Sequence, residues 1–306
     1  MSSIMTNTAA MTALKSLQAT TRNIEMVQSR ISTGYSVAEA SDNAAYWSIA
    51  TTMRSDNNAL STVQDALGLG SAKVDVAYTA MNSAIEVTGE IKEKLVAARE
   101  PGVDRTKIQS EITELQNQLT AIAESASFSG ENWLSVDTGA ADYSATKNIV
   151  SSFTRANDGT VSVSTIAIDI TATELVNASG DTGILDTTTT TTGAGTATIS
   201  VLTLDITAAN VDDDDIDDMI SWVDSAFQDM TTSASSLGAA KSRIDMQQQF
   251  VSSLMDAVER GVGQLVDADM SEESTRLQAL QVQQQLGVQA LSIANSNAQT
   301  ILSLFQ

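Results

Sequence analysis

Residues 220–265 decide the fold, and they read ISWVDSAFQDMTTSASSLGAAKSRIDMQQQFVSSLMDAVERGVGQL. Counting alternately three and four residues from Ile220 selects fourteen positions, of which twelve are apolar and two, Lys241 and Gln248, are polar. Such a repeat is typical of one long helix with an apolar seam for a partner helix. At about 1.5 Å per residue this helix would extend roughly 70 Å. Aspartates at 212–215 favour a helix start there, because carboxylates stabilise a helix N-terminus.

Two further helices are predicted upstream of this one. The first has a seam of its own and ends before Pro101 and Gly102, which are typical of a helix terminus. Its seam positions are Leu60, Val63, Leu67, Gly70, Val74, Ala77, Met81, Ala84, Thr88, Ile91, Leu95 and Ala98. The second has one apolar face, made of Ile108, Ile112, Leu115, Leu119, Ile122 and Ala126. Helices that are each apolar along one stripe can bury those stripes against one another. We therefore predict a mainly α fold, a long coiled-coil-like helical bundle formed by the N- and C-terminal segments.

The middle of the chain departs from the helical period. Between about residues 128 and 210 there are two β-prone runs, 161–170 and 198–206, separated by six consecutive threonines at 187–192. Runs of β-branched residues bounded by polar, glycine-containing loops are typical of short strands. The sequence therefore predicts a small β-rich insert that interrupts the helical bundle.

Composition excludes several kinds of functional site. The chain has 16 basic and 38 acidic residues, a net charge of −22, no histidine and no cysteine. Sites built on histidine or on a thiolate are thereby excluded, and a nucleic-acid surface would need a basic footprint. The aspartates at 212–218 are interpreted as helix N-terminal charge, because Asp218 stands where a calcium loop needs glycine. We predict no catalytic, cofactor-binding or metal-binding residue, and no cofactor.

The two ends of the chain are unusual in having no charge. Residues 1–14 and the thirty residues 277–306 contain no charged side chain. The N-terminal helix has a predicted seam at Ala10, Leu14, Leu17, Thr21, Ile24, Gln28 and Ile31, and Gly34 suits its C-cap. The C-terminal segment has one apolar stripe at Leu277, Leu280, Leu291, Ala294, Ala298, Ile301 and Phe305, and a second at Val282, Leu286, Ala290 and Ile293.

A helix that is apolar on two sides must be contacted on two sides. The economical interpretation is that the two ends pair with each other and that neighbouring copies of the chain cover the rest. The predicted subunit-assembly residues are Leu14, Leu17, Ile24, Ile31, Leu280, Leu286, Leu291, Ile301, Leu302 and Phe305. A coiled-coil protein with frayed tails is an alternative. A membrane anchor is disfavoured, because the eight glutamines among the last thirty residues would be costly in lipid.

Six short motifs resemble those of bacterial flagellins, and they occur in the same order. They are RISTG at 30–34, DNAAYWSIA at 42–50, FSG at 128–130, LGA at 237–239 followed by Arg243, DAD at 267–269 and TILSLF at 300–305. The resemblance covers about residues 1–134 and 219–306. At Tyr46 and Trp47 the family has Gly-Leu, so this chain carries extra bulk there.

The resemblance implies a structural subunit that polymerises into the bacterial flagellar filament used for motility, and not an enzyme. It places 1–43 and 266–306 in an inner terminal-helix domain that forms the polymer core. It places 44–134 and 211–265 in a helical rod domain, and 135–210 in a variable β-rich outer insert. Alternatives are a hook–filament junction protein and a secreted adhesin displayed by the β insert.

The resemblance also implies where the protein acts and with what. The expected location is the extracellular flagellum, reached by export without a cleaved signal peptide, and residues 1–10 lack the basic start of a secretory signal. Expected partners are copies of the chain, other flagellins, the flagellar export apparatus with its chaperone, and the hook-associated and cap proteins. Neither nucleic acid nor membrane insertion is expected.

Overall fold

The computed structural model describes residues 7–303 except 142, 181, 194, 195 and 210, and for 297–303 it describes the backbone alone. Within this part of the chain five helices occur: α1 (Thr8–Thr33), α2 (Ala44–Ala98), α3 (Arg105–Ser125), α4 (Asp213–Val266) and α5 (Met270–Ser303). The predicted mainly α class with a small strand-containing insert is confirmed. The predicted start of the long C-terminal helix is also confirmed, because Asp213, Asp214 and Asp215 form the first turn of α4.

The strands lie between α3 and α4 and form four two-stranded pairs in the described residues. The strand bounds are β1 Ser127–Phe128, β2 Glu131–Asn132, β3 Ser135–Val136, β4 Thr146–Arg155, β5 Val161–Asp169, β6 Val176–Asn177, β7 Thr189–Thr190 and β8 Thr198–Ile199. β1 pairs with β2, β4 with β5 and β7 with β8, all antiparallel, whereas β3 and β6 are parallel.

The chain divides into two compact units, one made of residues 1–58 with 255–306 and the other of residues 59–254. In the second unit, the seam of α2 forms the core. All twelve positions that the repeat selects between Leu60 and Ala98 are buried. Leu67, Met81 and Leu95 have no exposed surface. The seam prediction for this helix is confirmed, because a strict three-four repeat keeps the apolar side chains on one face.

Ion pairs in the second unit show that α2 and α4 run antiparallel. Lys92 Nζ lies 2.5 Å from Asp224 Oδ1, and Lys241 Nζ lies 2.5 Å from Asp75 Oδ1, so later residues of α2 meet earlier residues of α4. Pairs as exposed as these contribute little to stability, because solvent screens them. They set the relative alignment of the helices more than they stabilise the fold.

The insert has one long hairpin, and the sequence predicted half of it. β5 corresponds to the predicted run 161–170, but its partner β4 has a mixed pattern that sequence reasoning missed. Gly159, with φ 86°, lies in the connecting turn, a conformation that favours glycine.

The prediction of a strand over 198–206 is wrong beyond Ile199. The following residues form turns, whose carbonyl groups bond to α3 instead of to another strand. The amide of Gln116 donates to the carbonyl oxygens of Val201 at 3.0 Å and Leu204 at 3.1 Å. The buried side chain of Gln116 thus supplies the hydrogen bonds that these backbone carbonyl groups would otherwise have received from a neighbouring strand.

Tyr143 and Glu174 form a hydrogen bond inside the insert. The phenol of Tyr143 donates to Oε1 of Glu174, a side chain that is 4% exposed. This bond, assisted by burial and by the carboxylate charge, raises the pKa of Tyr143 to about 12. Because the folded pKa lies above the ordinary value of 10, the bond stabilises the fold below pH 10. That contribution is lost as the pH rises through about 12.

We expect the ultraviolet titration of phenolate in the wild-type chain to contain a component near pH 12. Tyr143→Phe should remove this component, since it removes the titrating phenol. Glu174→Gln should move it toward pH 10, because the carboxylate charge is gone. Identical titration curves for the wild type and Glu174→Gln would contradict the assignment.

Candidate subunit interface

In the first compact unit, α1 and α5 pack side by side in opposite directions. Near one end, Nδ2 of Asn7 donates to the carbonyl oxygen of Ala294 at 3.0 Å. Near the other end, Nη1 of Arg30 lies 3.2 Å from Oε1 of Glu273. The two ends of the sequence therefore pair with each other, as their uncharged composition predicted.

One stripe of α5 faces α1. The partly covered positions between 277 and 294 follow a three-four repeat: Leu277, Leu280, Gln284, Gly287, Leu291 and Ala294. This confirms the first predicted stripe for its members within that range. The second stripe lies outside the pair, with exposed fractions of 54% for Val282, 57% for Leu286 and 60% for Ile293.

The covered stripe of α1 has the predicted period but a different order of steps. Ile24 and Val27 are buried, and Leu17 and Ile31 are half-buried, whereas Leu14 is 45% exposed. The seam positions predicted at Leu14 and Gln28 are wrong, and Ala13 and Val27 take their places. A period of 3.5 allows steps of three-four or four-three from the same start, and packing against α5 selects the first.

Gly287 helps to bring the two helices together. A Cβ atom at this position would lie 3.4 Å from Cδ1 of Leu17, at the tight end of ordinary contact. Because Gly287 has no side chain, Leu17 can pack closely against the backbone of α5.

A buried carboxylate joins α1 to the first turn of α5. Glu273 is 5% exposed, and its Oε1 accepts from Arg30 Nη1 at 3.2 Å and from Arg276 Nη1 at 3.5 Å. A buried charge is costly unless it is paired, so the guanidinium of Arg30 offsets the cost of burying the carboxylate of Glu273. Arg276 also bonds Glu272 on the exposed side at 2.9 Å.

The chain leaves α1 through a fixed turn. Gly34 caps the helix at φ 77°, and its carbonyl oxygen accepts from the N–H of Ala268 at 2.9 Å. Next to it, Tyr35 forms an antiparallel bridge with Asp267. A small apolar cluster of Ala50, Val262 and Val266 lies in the same unit, with Val37, Met53, Val258 and Leu265 packed against it.

The structure divides the predicted assembly residues into two groups. Leu17, Ile24, Ile31, Leu280 and Leu291 lie on the covered stripes of the α1–α5 pair, whereas Leu14 and Leu286 lie on its outside. The side chains of Ile301 and Leu302, and the whole of Phe305, lie outside the described residues. Among the described residues of the same helices, sequence reasoning missed four exposed apolar side chains: Met11 at 54%, Met26 at 49%, Met270 at 44% and Val288 at 53%. Their apolar character at positions off the seam was the available signal.

Two family profiles match the chain. The profile of the bacterial flagellin N-terminal helical region matches residues 4–138, and that of the C-terminal helical region matches residues 220–305. The chain is a bacterial flagellin.

Several flagellins are similar to it along their whole length. Flagellin C of Rhizobium meliloti strain 1021 is 53% identical, with 100% of both chains covered. Flagellin A of Rhizobium meliloti is 46% identical and a flagellin of Brucella melitensis biotype 1 is 45% identical, again with 100% of both chains covered. A crystal structure of Bacillus cereus flagellin is similar over 62% of this chain and 88% of that chain, with 16% identity and a TM-score of 0.40.

As a flagellin, the chain is a structural subunit of the bacterial flagellar filament and assembles with copies of itself. The extracellular filament is its place of action. The predicted family and function are confirmed by these matches. In the described part of the chain, no helix has the length and apolarity needed to cross a membrane. No cluster of three acidic side chains with metal-binding geometry occurs among the same residues.

Arg30→Met should loosen the α1–α5 pair of this flagellin. It leaves the carboxylate of Glu273 buried with a weaker partner, and we expect a loss of about 2 kcal/mol in the free energy of local opening. Hydrogen exchange at the backbone amides of residues 24–33 and 270–280 would measure this loss.

The matched control is Arg276→Met, which removes the same charge from the exposed side of Glu273. It should cost less than about 1 kcal/mol, because Arg276 bonds on a solvated helix surface. An equal acceleration of exchange in the two variants would contradict the special role of Arg30.

Proposed function

We propose that this flagellin polymerises through the outer faces of α1 and α5, which the α1–α5 pair leaves uncovered. Leu14 and Leu286 contact neighbouring copies directly. Leu17, Ile24, Ile31, Leu280 and Leu291 act indirectly, because they hold the pair in the shape that the neighbours recognise. Ile301, Leu302 and Phe305 also serve assembly, because they belong to the uncharged C-terminal segment, and the repeat places Ile301 and Phe305 on the stripe of Leu280 and Leu291.

The exposed second stripe of α5 is the observation that carries this proposal. Val282, Leu286 and Ile293 are each more than half exposed, in a segment of thirty residues without a charge. Burying one such side chain against a neighbour stabilises the assembly by about 1 to 2 kcal/mol. The cost of fixing the subunits in place opposes this gain, so many such contacts are needed.

The proposed arrangement has three layers. Residues 1–43 and 266–306 form the inner polymer core, 44–134 and 211–265 form a surrounding helical rod domain, and 135–210 form the outer insert. The charge distribution supports this order, because the uncharged segments lie at the two ends of a chain with net charge −22. Head-to-tail contacts that do not close on themselves would then give an open helical filament.

We further propose that the chain leaves the cell through the flagellar export apparatus, escorted by a chaperone and without a cleaved signal peptide. The absence of cysteine supports this route, since no disulfide could prevent unfolding for passage. Hook-associated and cap proteins would bind the ends of the filament, and other flagellins would co-assemble along it.

We propose no catalytic activity, no nucleic-acid partner and no membrane insertion for the chain. The lack of histidine and cysteine supports the first, and the strongly acidic composition supports the second. Relatives that are named flagellins over their full length favour a filament subunit over a hook–filament junction protein or an adhesin.

Val282→Ser and Leu286→Ser should each raise the critical concentration for polymerisation about tenfold, because each removes about 1.4 kcal/mol of burial between subunits. Sedimentation of filaments over a dilution series would measure it. Val96→Ser is the matched control, since Val96 and Val282 are both 54% exposed but Val96 lies on α2. Equal effects of Val282→Ser and Val96→Ser would contradict the proposed surface.

Deleting residues 297–306 should leave a helical monomer that does not polymerise. The described core of residues 59–254 is untouched, whereas part of the uncharged surface is lost. Circular dichroism would measure the remaining helix, and electron microscopy would detect filaments. Filaments of normal length from this truncated chain would overturn the assignment of the C-terminal segment.

A further inference from the structure

A cavity of about 300 Å³ lies within residues 172–233, between one face of α4 and the insert. Its volume is at the lower end of the range for small-molecule sites and far above that of a single water molecule. Apolar side chains, Ile184 from the insert and Ala226 from α4, form part of its wall. The half-buried ring of Trp222 lies on the same face of α4.

Asp229 is the charged residue on this wall. Its carboxylate makes no hydrogen bond or ion pair within the described part of the chain. None of the ten described lining residues is a lysine or arginine. The cavity therefore has one negative charge without a counter-charge, which disfavours an anionic ligand and favours a cation.

Three of the five hydroxyl groups on the wall have the matching polarity. Thr187 donates its hydrogen to the carbonyl oxygen of Gly183 at 2.7 Å, and Thr232 donates to that of Gln228 at 3.0 Å. Ser233 donates to the carbonyl oxygen of Ala172 and, at 2.9 Å, to that of Asp229. Because their hydrogens are engaged, these oxygens can act only as acceptors toward a ligand.

We propose that the cavity binds a small primary amine in its ammonium form. An ammonium group has three donors and no acceptor, which fits the carboxylate of Asp229 and the acceptor oxygens of Thr187, Thr232 and Ser233. An aliphatic chain of about four to five carbons would lie against Ile184 and Ala226, and the indole ring favours a nearby cation. The amine is either a free diamine or the side chain of a lysine in a polypeptide, since both present the same group.

The test is a titration of the full-length monomer with putrescine, followed by tryptophan fluorescence and calorimetry. Wild type should bind, and 1,4-butanediol, which has hydroxyl groups in place of the amines, should not. Asp229→Asn should weaken binding at least about tenfold, because a charge-assisted hydrogen bond is lost. Trp222→Phe should weaken it about two- to fivefold and abolish the fluorescence change.

Asp256→Asn is the matched control, since Asp256, like Asp229, is exposed and lies on α4, but it is not on the wall of this cavity. Equal losses in Asp229→Asn and Asp256→Asn would overturn the proposal, because they would indicate general attraction of cations to an acidic chain. Saturable binding of the diol would overturn it as well. Thermal melting of each variant shows whether the fold is retained, and unchanged putrescine binding in a folded Asp229→Asn contradicts the site.

An acetylated, amidated lysine distinguishes the two sources of the amine. Binding of this compound as tight as that of putrescine would assign the cavity to a lysine side chain of another polypeptide. Binding of putrescine alone would assign it to a free diamine.

Discussion

Two helices that pack side by side can bury only one stripe of each helix. This geometric limit decides which apolar side chains of this flagellin are covered within one molecule and which remain exposed. The stripe of α5 that includes Leu280 and Leu291 is covered by α1. The stripe that includes Leu286 and Ile293 is not, although it is as apolar. The second stripe is therefore available for contacts between molecules. Such contacts are what a subunit of a polymer needs.

The sequence predicted the helical core well, because the repeat in α2 is strict. Every selected position from Leu60 to Ala98 is buried, since apolar residues at alternate steps of three and four leave one consistent face. In α1 the same period was compatible with two orders of steps. Packing against α5 decides that Ala13 and not Leu14 lies on the covered stripe, through contacts such as that of Leu17 with Gly287. The sequence of α1 does not contain that information directly.

The insert was predicted less well, for a related reason. Its short strands obtain their hydrogen bonds from residues distant in sequence, as β3 and β6 do. The run 198–206 has strand-like composition, yet Gln116 of α3 binds its carbonyl groups. Composition indicates that a segment can be extended, but tertiary partners decide whether it is. The candidate interface was predictable to the extent that absence of charge is visible in a sequence. The cavity beside Asp229 was not, because it is formed by elements that the sequence did not place together.

The buried ion pair of Arg30 and Glu273 has a consequence for alignment. Leucine and alanine stripes with a seven-residue repeat resemble themselves after a slip of one heptad, so apolar contacts alone distinguish shifted pairings poorly. Such a slip would move Glu273 about 10 Å along α1, away from Arg30, and leave a carboxylate in an apolar seam. One buried charged contact thus makes a single alignment of the two helices the lowest in energy, and every subunit would present the same outer surface to its neighbours.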